Sequence, residues 1–197
     1  MQAKPPILSF VDVKSIEAYF SKSADGHAGF WLKLAKKGAP DPTITKAQAI
    51  EGALCHGWID GQLAAHDGHY FLVRMTPRRT GSRWSAINRE TARRLVREGR
   101  MRPAGLKQIE IAKAEGRWQE AYQPQSKAGP PPDLLAALAA NKMAKKMFAT
   151  LDSANRYAVI YRVNDAKRPE TRASRIKQFV AMLARGETLH PSRKAKR

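Results

Sequence analysis

Cysteine is nearly absent from this sequence: Cys55 stands alone, so no disulfide can form within the chain. Its neighbours in Ala53-Leu54-Cys55 are apolar and indicate a buried, inert thiol. The adjacent His56 leaves a catalytic thiol as the alternative, although neighbours in sequence need not face one another. Long hydrophobic runs are lacking too, and nothing approaches the ~20 apolar residues that span a bilayer, so no transmembrane segment is expected. Met1-Gln2-Ala3-Lys4-Pro5-Pro6 shows neither a basic patch leading into an apolar stretch nor a cleavage site of small residues, which makes the cytoplasm the expected compartment. Missing as well are Gly-x-x-x-x-Gly-Lys-Ser/Thr, Gly-x-Gly-x-x-Gly after a strand, and Gly-x-Ser-x-Gly, the local frames that cradle phosphates or present a serine nucleophile. No cofactor and no complete catalytic constellation is read from the chain. His56, His66, Asp67 and His69 form the one metal-like cluster, and because they offer no established ligand spacing no metal site is assigned.

Acidic residues are scarce only beyond the first third. Residues 1–73 hold seven Lys and Arg against seven Asp and Glu, whereas residues 74–197 hold 29 against 10, so the whole net charge of +19 belongs to the later part. A block that positive attracts polyanions such as nucleic acid, anionic lipid or phosphorylated envelope components; the plain alternative is a solvated helical surface. With 43% hydrophobic and 27% charged residues in a 197-residue chain, the balance is otherwise that of a globular protein.

Periodicity and punctuation divide the chain. Pro6 to Val11 reads as a strand, Val13 to Ser21 as a helix behind an Asp12 cap, Phe30 to Leu34 as a strand, and Lys46 to Cys55 as a helix capped by Thr45 and ended at Gly57. Trp58 to Ala64 and His69 to Met75 form a hairpin through Ala65-His66-Asp67-Gly68. Helices then follow one another, over Ser82 to Glu98 and from Pro103 to Gly116, and, past prolines 124 and 130–132, over Asp133 to Ala140, Lys142 to Thr150, Ser153 to Ala166 and Pro169 to Arg185. The last shows Ile176, Phe179, Val180 and Leu183 on one face. The fold class is α+β: a small antiparallel sheet with helices in the N-terminal part, followed by a helical C-terminal region. The expected division is an α+β domain with the hairpin over 1–80, a helical pair packing on it over 81–118, a Pro-rich linker over 119–132, a helical subdomain over 133–187 and a basic tail over 188–197.

The densest chemistry lies in Arg74-Met75-Thr76-Pro77-Arg78-Arg79-Thr80-Gly81-Ser82-Arg83-Trp84-Ser85. Arg74, Arg78, Arg79 and Arg83, the hydroxyls of Thr80, Ser82 and Ser85, and the free N–H groups of a helix start suit an anion such as phosphate or carboxylate. The competing reading is that these arginines brace the fold against carboxylates, with Asp60 the first suspect. Asp60 lies in Gly57-Trp58-Ile59-Asp60-Gly61 as a turn residue or a half-buried carboxylate with an arginine partner; as a catalytic acid or base it lacks an identifiable second group. On the last helix Arg168, Arg172 and Arg175 fall near one face, either as a phosphate-tracking stripe or as a solvated surface, and aromatic interleaving of the single-strand-binding kind is missing.

Four separated segments resemble the YdeI/OmpD-associated family, also labelled bacteriocin-protection proteins. They are Cys55-His56-Gly57-Trp58-Ile59-Asp60-Gly61; Thr76-Pro77-Arg78-Arg79 with Trp84-Ser85 and Asn88; Gly99-Arg100-Met101 with Gly105-Leu106; and Ala166-Lys167-Arg168-Pro169-Glu170-Thr171-Arg172. The resemblance runs from about residue 30 to about residue 186. It implies a link to the bacterial envelope, to porin association and to tolerance of bacteriocins or cationic peptides, with no reaction or catalytic set to carry across. The family-like positions Trp58, Asp60, Trp84, Asn88, Glu170 and Arg172 are therefore structural or site-lining candidates. The first third also resembles the small α+β unit of YjbR-like proteins, a likeness of fold alone. A chain of charge +19 repels cationic peptides, so direct scavenging is disfavoured and cytoplasmic regulation or competition for an anionic target is the easier route. Three readings follow: a non-enzymatic protection factor binding an anionic ligand or envelope protein at Arg74 to Ser85; a nucleic-acid-binding protein using the basic C-terminal helices; and an enzyme using Asp60 with Arg78 or Arg79.

Overall fold

A computed structural model describes residues 4–23, 28–124 and 129–191. The chain divides into two compact units, Met1–Tyr122 and Gln123–Arg197. Among the described residues the first unit holds four strands, β1 (Ile7–Leu8), β2 (Phe30–Ala35), β3 (Trp58–Ala65) and β4 (Tyr70–Pro77), and four helices, α1 (Val13–Lys22), α2 (Lys46–Cys55), α3 (Ala86–Arg97) and α4 (Pro103–Ala114). The second holds α5 (Pro132–Ala139), α6 (Lys142–Thr150), α7 (Ser153–Asp165) and α8 (Pro169–Ala184). The class is α+β, with an N-terminal sheet and a helical C-terminal region.

The sheet runs in the order β1-β2-β4-β3. Its three longer strands are antiparallel, as the hairpin signal indicates: Asp67 turns the chain by accepting the backbone N–H groups of His69 and Tyr70 at 2.7 and 2.8 Å. The sheet as a whole is mixed, because the short β1 pairs in parallel with β2. The crossing helix α1, capped by Asp12 accepting from the Ser15 N–H, returns the chain so that β2 starts beside β1 in the same direction. β1 is also shorter than the strand over Pro6 to Val11 that the apolar run suggests.

Alternation sets the faces of β2: Phe30, Leu32 and Leu34 are buried while Trp31, Lys33 and Ala35 are half-exposed. The buried set meets Ile16 and Phe20 of α1, Ala49 and Ala53 of α2, Trp58, Val73 and Met75 in one core. The Phe20, Phe30 and Trp58 rings lie 5.1–6.1 Å apart. α2 begins with a capping box between Thr45 and Gln48.

A second core in the same unit joins α2 to α3 and α4 through Leu54, Cys55, Trp84, Ala92, Leu95, Ile109, Ala112 and Trp118. Gly105 makes this approach possible: a Cβ there would meet the carbonyl oxygens of Cys55 and Leu54, the latter at 2.6 Å. Trp118, and Tyr122 within the Pro-rich stretch expected to be a linker, pack onto the start of α3. The Trp118 ring stands edge-on to Trp84 at 4.8 Å, and Tyr122 exchanges backbone hydrogen bonds with Trp84 and Ala86.

In the second unit the spacing of α8 does what its pattern indicates: Ile176, Phe179 and Leu183 are buried and Val180 half-buried. They pack with Leu134, Leu138, Ala144, Phe148, Val159, Ile160 and Val163. Asn141 and Asp152 cap α6 and α7. The start of the expected basic tail, to Pro191, is described; residues 192–197 lie outside the described residues.

Candidate functional site

The Arg74 to Ser85 segment leaves β4, makes a tight turn at Arg79–Ser82, and enters α3. The turn closes through the Ser82 N–H on the Arg79 carbonyl and the Arg79 N–H on the Ser82 hydroxyl, both 3.0 Å, with Gly81 at φ +80°. Ser85 caps α3 by accepting the Asn88 N–H at 3.1 Å. Two of the three hydroxyls offered by the sequence as anion ligands, those of Ser82 and Ser85, thus accept hydrogen bonds from the backbone.

Arg74 and Arg78 are held in place by carbonyls and aromatic rings, not by carboxylates. Arg78 is 6% exposed, its guanidinium 3.7 Å from the Trp84 ring centroid, with Nη1 donating to the Arg83 carbonyl at 3.4 Å and its backbone N–H to the Gly57 carbonyl at 2.9 Å. Its Nε and Nη2 are buried without a hydrogen-bond partner. Burial pulls its pKa down to about 10; Tyr122 and Asp60 oppose the shift and Arg117 adds to it. Arg74 donates to the carbonyl of Ala28 and lies 5.9 Å from the Trp31 ring, its pKa lowered by burial and then by the nearby charge of Arg79. Arg79 is exposed. Arg83 lies over the Tyr122 ring at 5.5 Å, and Arg117 reaches the Ser82 carbonyl and Glu115. Carbonyls and aromatic rings fix a guanidinium in space without cancelling its charge.

Asp60 is a half-buried carboxylate, but its ion-pair partner is Lys46 at 3.4 Å rather than an arginine. The sequence could not show this, because α2 brings Lys46 to β3 from fourteen residues away. Trp58 is a core side chain, and Asn88 sits in the first turn of α3. Cys55 is buried, and that burial pushes its thiol up to about 11, which keeps it protonated and poorly nucleophilic. His66 and Asp67 lie 3.7 Å apart within the hairpin turn, and no group of three or more potential metal ligands occurs among the described residues.

In the second unit Arg172 is spent on Asp133, with Nη2 2.9 Å from Oδ1, and on the Val163 carbonyl at 2.9 Å. Arg175 lies 3.5 Å from Asp165 and donates to the Arg162 carbonyl. Glu170 occupies the first turn of α8 and is exposed. Two arginines of the stripe, Arg172 and Arg175, are thereby tied into the unit, while Arg168 is exposed.

Sequence reasoning missed a groove of about 600 Å³ in the first unit, lined by Lys14, Glu17, Phe20, Ser21, His56 and Arg102. Of these only His56 stands out in the sequence, and as part of a different cluster. The others come from α1 and from the start of α4, and no local motif links them.

Three of the four family-like segments meet at the second core of the first unit. The Arg102 N–H donates to the Cys55 carbonyl at 3.1 Å, Arg100 meets Glu51 at 2.9 Å, Gly105 seats α4 against the end of α2, and Arg78 joins Gly57 to Trp84. Residues 128–186 match the family described as "Bacteriocin-protection, YdeI or OmpD-Associated", which contains the Ala166 to Arg172 motif. The other three motifs fall in or beside helices and strands of residues 8–108, which match a "Domain of unknown function (DUF8412)". No curated protein and no solved structure matches the chain. Among the described residues no helix is long and apolar enough to cross a membrane. By these matches the chain belongs to the DUF8412 family through its first unit and carries, in its second, a domain of the YdeI- or OmpD-associated, bacteriocin-protection type.

Proposed function

We propose that this protein is a non-enzymatic stress or bacteriocin-protection factor that works by recognising an anionic ligand or partner at the junction of β4 and α3. One observation carries the reading: Arg74, Arg78 and Arg79 form no ion pair among the described residues, and two guanidinium nitrogens of Arg78 are buried without a hydrogen-bond acceptor. Several other cations of the unit are paired, as Arg94 and Arg100 are with Glu51 and Lys46 is with Asp60. A site that holds cations on carbonyls and rings retains the field that draws an anion. Competition for an anionic target suits this charge; capture of a cationic peptide does not. The test is thermal melting of the full chain against inorganic phosphate: saturable stabilisation in the wild type that is lost in Arg79→Ala supports the reading, and an equal response in both rejects it.

A nucleic-acid reading rests on a different observation. With Arg172 and Arg175 engaged by carboxylates, the exposed cations of α6, Lys142, Lys145 and Lys146, are the ones that stand on a single face and form no ion pair among the described residues. The second unit carries 16 Lys and Arg against five Asp and Glu. An interface with nucleic acid would run along α6 rather than α8.

A further inference from the structure

The groove between α1, the end of α2 and the start of α4 contains polar side chains whose bonding capacity is unspent. Lys14 and Glu17 are one helical turn apart on α1, yet they form no ion pair with each other or with any other described residue. Arg102, the N-cap residue of α4, contributes its backbone to the Cys55 carbonyl, while its side chain makes no hydrogen bond or ion pair among the described residues. The same holds for the side chains of Ser21 and His56. Five other carboxylates of the unit, Glu51, Asp60, Glu90, Glu98 and Glu115, do meet cations.

The walls are fixed rather than loose. A Cβ at Gly57 would come within 3.0 Å of the Ala104 carbonyl, and one at Gly105 within 2.6 Å of the Leu54 carbonyl, so the first turn of α4 is seated against the end of α2. Phe20, fully buried, supplies an apolar floor 6.2 Å from the His56 ring. The volume suits a small molecule.

We propose that this groove binds a small amino-carboxylate, an α-amino acid or a molecule with the same two charged ends, with the carboxylate on Lys14 and Arg102 and the ammonium on Glu17. Two cations and one carboxylate, none compensated internally, match a ligand that carries both signs. A plain anion would leave Glu17 opposed by nothing and facing like charge, and a plain amine would meet two cations. His56 is kept neutral by burial, with Glu17 opposing and Arg102 reinforcing, so it offers one donor and one acceptor nitrogen instead of a third positive charge. The site is separate from the β4–α3 junction and does not rest on the reading given for it.

The experiment is calorimetric titration of the full chain with L-glutamate and L-alanine, and with acetate and methylamine as the separated halves. At least one amino acid binds saturably, and acetate and methylamine bind at least about tenfold more weakly. Glu17→Gln and Lys14→Met each weaken the amino acid about tenfold while leaving the ligand-free melting curve in place; Arg102→Met is the second cation variant if Lys14→Met fails to fold. No saturable binding of either amino acid, acetate binding as tightly as the amino acid, or an unchanged affinity in Glu17→Gln overturns the proposal.

Discussion

The guanidinium of Arg78 lies 3.7 Å from the centroid of the Trp84 ring, at the point where the hairpin passes into the first long helix. The stacking and a single carbonyl hold the cation, and no carboxylate touches it. Its burial is a cost to folding, so its removal is expected to be much milder than the removal of its platform.

Trp84→Ala empties a fully buried aromatic site in the second core and is expected to cost about 3–5 kcal/mol. Arg78→Met keeps much of the length and apolar stem while deleting two unsatisfied buried donors, and is expected to cost less than about 2 kcal/mol or to stabilise. Urea denaturation of the two variants checks the order; an Arg78→Met loss as large as that of Trp84→Ala would mean that the guanidinium is a structural pin.

Gly105→Ala is expected to destabilise by about 2 kcal/mol, because its methyl group would press on the backbone carbonyls of Leu54 and Cys55 rather than on a side chain free to turn aside. Gly129→Ala, where a Cβ meets nothing, is the contrasting control and should be close to neutral. The difference between their urea midpoints is the measurement.

Acid affects the fold in two steps. Burial lowers the His56 pKa from its ordinary 6.5, so its contribution is complete above that value and declines as the pH falls below it, where the unfolded chain takes up the proton first. A further loss follows at lower pH, through the carboxylate range below 3.8, as Asp133 gives up the hydrogen bonds from Arg172 that hold its pKa down. Thermal melting across this range should show both, and His56→Gln should remove the first alone.

If nucleic acid binds the second unit, neutralising Lys142, Lys145 and Lys146 flattens the dependence of affinity on salt, while neutralising Glu170 does not. Filter binding of a DNA duplex at several salt concentrations distinguishes them; a slope unchanged in the triple lysine variant removes α6 from the interface.

Local signals carried most of the secondary structure. Asp12 and Thr45 cap where their side-chain chemistry says they should, whereas the helix expected from Ser82 starts only at Ala86, behind the Ser85 cap; Ile176, Phe179 and Leu183 point inward because 3.6-residue spacing leaves them one face. Pairing was less legible. Nothing near Ile7 reveals that its two-residue strand adds in parallel to β2, since that depends on where α1 delivers the chain. The arginine-rich segment was visible as composition, but the partners were not: Asp60 pairs with Lys46, Arg78 with an aromatic ring, and Ser85 with its own helix. The groove was invisible for the same reason, because Lys14, His56 and Arg102 meet only after three helices have packed.

The most direct test of the anion reading is a phosphate titration of the full chain followed through the side-chain Nε–H nuclear magnetic resonance signal of Arg78. Saturable movement of that signal, abolished in Arg79→Ala, is the expected result. A signal that stays in place while the protein remains folded would show that the buried guanidinium meets no anion, and the proposed recognition at the β4–α3 junction would be wrong.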